Sequence, residues 1–238
     1  MKNLKELSCS KIRGLQDADL FAVLDCCLSL EALNISFPLY GIVDSIGVTN
    51  SGVVSLSKNC FLEYLNLEGA NFLSDGSMIE LSHYLSRLKS INLGYCSKLT
   101  NSTFFTLLRE CPALSEIRME TTNLGVEEST TELVINPRIK SLCEEVEGFV
   151  GGMEAFGIND DALITIANTC PRLLNLNLSC CTYVTTRGIK EVLEKCRALR
   201  EIDLYFCPNI DANILPWMVI SRPLLRNIGL VGEMDLQT

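Results

Sequence analysis

Cysteine, histidine and the carboxylates are the residues whose spacing could carry chemistry here. Cys170 and Cys181 return 26 residues later as Cys196 and Cys207, and adjacent pairs stand at Cys26-Cys27 and Cys180-Cys181. A structural zinc site wants Cys-x-x-Cys pairs, or Cys with His at short spacing, so that neighbouring ligands reach one ion. None of these cysteines has that spacing, and His83 is the single histidine. Cys–His nucleophilic catalysis would rest on His83 alone, and there is no glycine-rich phosphate loop. The carboxylates are spread out rather than paired in a motif. These residues predict no metal, no cofactor and no enzymatic active site. The 12 cysteines read as free thiols that serve as small apolar packing groups.

Composition narrows the partners. The chain has 238 residues, 47% of them hydrophobic, which is enough for a substantial core. Its 29 acidic against 20 basic residues give a formal charge of −9. That balance argues against nucleic acid, whose phosphates need clustered Lys and Arg. The opening MKNLKELSCSKIRG lacks the apolar core of a signal peptide, and no long uncharged apolar run is present, so no membrane partner is expected. The expected location is the cytoplasm or nucleus.

The cysteines need a scaffold, and the scaffold is a repeat. The pattern L-x-x-L-x-L begins at positions 4, 30, 62, 88, 114, 173, 199 and 225, with 26 residues between starts inside each block. Leu173-Leu176-Leu178 and Leu199-Ile202-Leu204 are two such matches. A period in the twenties marks a leucine-rich solenoid, each unit stacking on the next to cover a face it cannot bury alone. The predicted fold class is therefore α/β, a horseshoe with parallel strands on the concave face and helices on the convex face.

The second half of each unit repeats apolar or small residues at i, i+3, i+4 and i+7, as in Leu163-Ile166-Ala167-Cys170 and Ile189-Val192-Leu193-Cys196. That spacing is one face of a helix. Upstream, in one column, stand Thr49, Ser74, Thr100, Asn159, Thr185 and Asp211. Their side-chain oxygens suit the free N–H groups of a first helical turn, so they are read as N-caps.

The period fails in two places. The step from Leu30 to Leu62 is longer, which reads as a loop. From about Asn123 to Asn159 the pattern lapses, apart from a weak strand at Ile139-Leu142, and this stretch is expected to be a poorly packed loop or the scar of a lost repeat, with a functional loop as the alternative. The expected division is repeats over 1–122, about five units, an irregular break over 123–160, and about three units over 161–238.

The unit C-P-x-L-x-x-L-x-L-x-x-C-x-x-V-T-x-x-G-I resembles the cysteine-containing repeat of F-box/LRR proteins, and CPALSEIRME and ILPWMVISRPLLRNI are similar to plant members. In that family the repeat arc is the substrate-recognition arm of an SCF ubiquitin ligase, docked on the Skp adaptor and cullin by an N-terminal F-box. The resemblance thus implies a protein-binding arm for ubiquitin-dependent degradation. No room for an F-box exists before Leu4, so adaptor and cullin binding would need an upstream segment. The alternative is a stand-alone scaffold or decoy without ligase function, or an inactive fragment.

Residues that alternate with the inward leucines must face the concave side. That places a protein substrate against Asn66, Asn92, Glu116, Arg118, Asn177, Glu201, Asp203 and Tyr205. Tyr205 and Arg118 are favoured, because Tyr and Arg are enriched in binding hot spots.

Overall fold

The computed structural model describes residues 3–10, 12, 14–37, 47–58, 61–119, 122, 138–143 and 158–230. Among the described residues, nine strands of three residues each form one parallel sheet in strict chain order. They are β1 (Glu6–Ser8), β2 (Ala32–Asn34), β3 (Tyr64–Asn66), β4 (Ser90–Asn92), β5 (Glu116–Arg118), β6 (Ser141–Cys143), β7 (Asn175–Asn177), β8 (Glu201–Asp203) and β9 (Asn227–Gly229). The helices are α1 (Asp17–Cys26), α2 (Asn50–Val54), α3 (Asp75–Ser82), α4 (Asn101–Glu110), α5 (Asp160–Thr169), α6 (Thr186–Lys195) and α7 (Ile214–Ser221). A 3-10 turn, Ser55–Lys58, extends α2.

The register follows from the leucine pattern. Leu7, Leu33, Leu65, Ile91, Ile117, Leu142, Leu176, Ile202 and Ile228 are successive Cα partners, each at the centre of its strand. With side chains alternating, the central residue points inward and both flanking residues point out. From Leu33 to Ile202 this rank is buried, and the leucines on either side of it in each unit complete one continuous core. Each fully buried leucine stabilises the fold by roughly 1.5–3 kcal/mol, so a rank of them sets the register firmly. At the two ends, Leu7 and Ile228 are only half-buried.

The weak strand expected at Ile139-Leu142 is β6, with Ile139 and Leu142 buried. Ser141 pairs with Glu116 on one side and Asn175 on the other, so the sheet runs through this stretch in register. Within the expected break, residues 123–137 and 144–157, including the acidic run beyond Cys143, lie outside the described residues, and its last residue, Asp160, opens α5.

Five of the expected caps bond as their chemistry requires. The side chains of Thr49, Ser74, Thr100, Asn159 and Thr185 accept hydrogen bonds from Ser51, Ser77, Ser102, Ala162 and Arg187 N–H, respectively. Asp211 does not cap α7. Its carboxylate accepts from Asn213 N–H at 2.9 Å, an Asx turn that delays the helix, and Asn213 precedes Ile214 without a side-chain cap bond.

A second bond joins four of these caps, Thr49, Ser74, Thr100 and Thr185, to the unit before them. Asp17 accepts the N–H and hydroxyl of Thr49 at 2.8 and 2.6 Å, Asp75 those of Thr100 at 3.0 and 2.8 Å, and Asp160 those of Thr185 at 2.8 and 2.6 Å. Asn50 accepts Ser74 N–H in the same way. Each threonine hydroxyl therefore donates to one helix start while accepting from its own, and the helix layer is laced along its N-terminal edge.

The cysteine columns pack as expected where they are described. Cys27, Cys111, Cys170 and Cys196 close the helix stripes in the core, Cys96 and Cys181 are buried beyond the strands, and Cys207 is half-buried. Cys60 lies outside the described residues. Burial pushes the Cys96, Cys111 and Cys196 thiols up to about 12 and those of Cys170 and Cys207 to about 11. Thiolate chemistry is suppressed at these five sites.

Candidate functional site

The outward residues of the strands form two ranks on the concave face. The first runs Glu6, Ala32, Tyr64, Ser90, Glu116, Ser141, Asn175, Glu201, Asn227, and the second includes Ser8, Asn34, Asn66, Asn92, Arg118, Asn177, Asp203 and Gly229. Across β1 to β5 these ranks line an open trough of about 650 Å³, floored by Leu7, Leu33 and Leu65. Its wide mouth suits a chain segment laid across the strands better than a small enclosed ligand.

Local bonding explains why so many of these residues are Asn or Asp. The side-chain oxygens of Asn34, Asn66, Asn92, Asn177 and Asp203 accept the backbone N–H two residues on, at 2.9–3.0 Å. Each fixes the turn that leads the chain off its strand. The carboxamide oxygen is therefore occupied by architecture, and the amide group is what an asparagine offers a partner. Asn92 spends that group on Glu68 at 3.1 Å.

Arg118 breaks this column with a cation. Its Nε donates to Glu116 at 3.2 Å, and Ser90 donates its hydroxyl to the other Glu116 oxygen at 3.2 Å. The resulting Ser90–Glu116–Arg118 cluster forms the β5 wall of the trough. Arg118 remains about half exposed, with a side-chain accessibility of 52%. Tyr64 rises from the middle strand and is 50% exposed. Tyrosine and arginine are both enriched in interface hot spots, and Tyr64 and Arg118 both line this trough.

Of the eight residues expected to contact a partner, Asn66, Asn92, Glu116 and Arg118 share this trough. Asn177, Glu201, Asp203 and Tyr205 stand together on β7, β8 and the turn after β8, outside it. The Tyr205 ring lies 6.1 Å from that of Phe206, whose backbone is left-handed at φ 56°. Gly69, Tyr95 and Cys180 share that left-handed conformation in equivalent turns. The exposed Tyr64 was missed, although it occupies the same rank as Glu116 and Glu201. The signal was available, since in a three-residue strand both flanks of the central leucine share one face.

Other singled-out residues have structural surroundings. Trp217 is half-buried against the core, with Lys190 Nζ 5.8 Å from its ring centre. His83 follows α3 and its Nδ1 lies 3.4 Å from Glu110. Among the described residues, no group of three or more His, Cys, Asp or Glu is placed to hold a metal, and no helix is long and apolar enough to cross a membrane.

With this geometry in place, the comparison with solved structures is direct. A chain in the crystal structure of the Rad7 and Elc1 complex in yeast superposes with a TM-score of 0.54 at 17% identity, over 99% of this chain and 72% of that one. The fold is a leucine-rich-repeat solenoid. No family model matches the sequence. Among curated relatives, F-box/LRR-repeat protein 4 of Bos taurus is 25% identical over 82% of this chain and 32% of its own length. Antagonist of mitotic exit network protein 1 of Eremothecium gossypii is 28% identical over 56% of this chain and 33% of its own. The chain thus spans about a third of the length of these relatives.

Proposed function

We propose that this solenoid is the protein-recognition arm of a ubiquitin-ligase substrate receptor of the SCF type, acting in the cytoplasm or nucleus. The observation that carries the reading is the trough across β1 to β5, open, polar and walled by Ser90, Glu116 and Arg118. It offers a partner segment hydrogen-bonding groups on a rigid sheet, with Tyr64 as an anchor. The F-box/LRR relative supplies the ligase context, since a repeat arm of this kind is part of a longer chain there. The chain itself is read as non-enzymatic, delivering a target to a ligase through an F-box elsewhere in the natural product, which would engage the Skp adaptor and cullin.

The test is affinity capture with the natural full-length product in cells, with and without a proteasome inhibitor. The expected result is that the Skp adaptor co-purifies, that a trough-bound partner accumulates when the proteasome is blocked, and that Tyr64→Ala with Arg118→Ala loses that partner and keeps the adaptor. A partner whose abundance ignores the inhibitor, with no adaptor bound, would replace this reading with a stand-alone scaffold.

A further inference from the structure

The residue two places before each strand centre forms another stacked rank at the edge where the chain enters the sheet. Its members are Lys5, Glu31, Glu63, Lys89, Ser115, Lys140, Leu174, Arg200 and Arg226, and each backbone carbonyl except the last accepts from the N–H of the next member. Neighbours therefore stand one strand spacing apart, about 4.8 Å.

The two halves of this rank treat their charges differently. In the first half Lys5 pairs with Glu31 at 2.6 Å, while Lys89 and Arg87 pair with Glu63 at 2.5 and 3.3 Å. The Lys89 ammonium holds the Glu63 carboxyl below its ordinary range. Positive and negative side chains there satisfy one another. In the second half the members are Lys140, Leu174, Arg200 and Arg226, with no acidic residue among them. All three cations are exposed and make no ion pair among the described residues. Arg172 and Arg197, in the turns before β7 and β8, are exposed and unpaired in the same sense and add to the patch.

This concentration stands out on a chain whose formal charge is −9. We propose that the edge formed by Lys140, Arg200 and Arg226, flanked by Arg172 and Arg197, docks an acidic extended segment of a partner protein. Charge complementarity selects the occupant. The three cations span about 14 Å at the strand spacing, the reach of a few extended residues. Arginine fits carboxylates through paired N–H donors, which favours acidic side chains on such a segment. A long polyanion such as nucleic acid would also meet the rest of the chain, where acidic residues outnumber basic ones. A short segment meets only the local field, because surface charges are screened within about 8–10 Å. The surface is separate from the trough, and the inference does not depend on the ligase reading.

The test uses the whole chain and a fluorescein-labelled oligoglutamate peptide, followed by anisotropy at low and physiological ionic strength. Three proteins are compared: the unaltered chain, Arg200→Glu with Arg226→Glu, and a charge-matched control, Lys98→Glu with Lys190→Glu, which alters exposed lysines elsewhere. The expected result is salt-sensitive binding that weakens about tenfold or more in the arginine variant and less than about twofold in the control. Circular dichroism confirms that each variant is folded. No binding, or equal weakening in both variants, overturns the proposal. So does tighter binding of a single-stranded oligonucleotide that depends on the same arginines, which would make the edge a nucleic-acid surface.

Discussion

Asp160, at the start of α5, receives both the backbone N–H and the hydroxyl of Thr185, which caps α6 one unit later. One carboxylate thus joins two units through two charge-assisted hydrogen bonds, while Thr185 passes its remaining capacity to Arg187 N–H at 3.1 Å. Charged hydrogen bonds of this kind contribute about 1.5–3 kcal/mol each when a partner is removed. Asp160→Ala is expected to lower unfolding free energy by about 2–3 kcal/mol in urea titration. The double variant with Thr185→Ala should fall short of the sum of the single losses. Full additivity would show that the two residues do not act as a unit.

The same joint dictates a glycine. A Cβ at Gly188 would sit 2.5 Å from an Asp160 carboxylate oxygen and 3.1 Å from a Leu163 methyl, and one at Gly52 would overlap an Asp17 carboxylate oxygen. Gly76, in the equivalent part of α3, has nothing nearer than 4.0 Å. Gly188→Ala should therefore destabilise by about 1–3 kcal/mol. Gly76→Ala should be neutral or stabilise by up to about 1 kcal/mol through helix propensity. The opposite order in thermal melts would contradict the packing described.

The buried thiols make stability fall in alkali. Cys96, Cys111 and Cys196 shift from an ordinary 9.0 up to about 12 because burial penalises the thiolate. Below pH 9 both folded and unfolded thiols are protonated and the stabilising difference is fully present. Above it the unfolded chain loses protons that the folded chain keeps, so stability declines until about pH 12. Urea midpoints should drop across that window, and Cys96→Ala with Cys196→Ala should flatten the decline while lowering stability at neutral pH.

Thiol labelling separates the same groups by position. At mildly alkaline pH in the native state, iodoacetamide should modify the exposed Cys26 and leave Cys96, Cys111, Cys170 and Cys196 unmodified. All should label after denaturation, with peptide mass spectrometry as the readout. Rapid native labelling of Cys196 would mean that the α6–β8 turn opens readily.

Tyr64 provides the surface counterpart. At 50% exposure its truncation to Ala should change stability by less than about 0.5 kcal/mol. Partner capture through the trough should weaken several-fold, as measured by quantitative pull-down.

The inward ranks, most helix caps and the cysteine columns were legible because each depends on residues inside one unit. Leu173-Leu176-Leu178 and Thr185 announce themselves by local spacing. The Asp–Thr joints were not legible, because their meaning lies between units. Asp75 to Thr100 and Asp17 to Thr49 bond alike although they are separated by 25 and 32 residues. Asp211 shows the reverse problem: the right residue in the right column spends its carboxylate on Asn213 and starts no helix. The trough was half legible. Alternation places Asn66, Asn92, Glu116 and Arg118 on the concave face and Tyr64 and Ser90 with them, and the register shows which of these residues stand side by side.

The in-order register carries a consequence for how the chain acquires its shape. Strands pair only with their immediate predecessors and successors, even where Ser141 bridges Glu116 and Asn175. No rung has to wait for a distant part of the polypeptide. A nucleus of two adjacent units can therefore grow in either direction by zipping. On the ribosome each new turn finds its template already in place, so the solenoid can wind as quickly as its chain emerges.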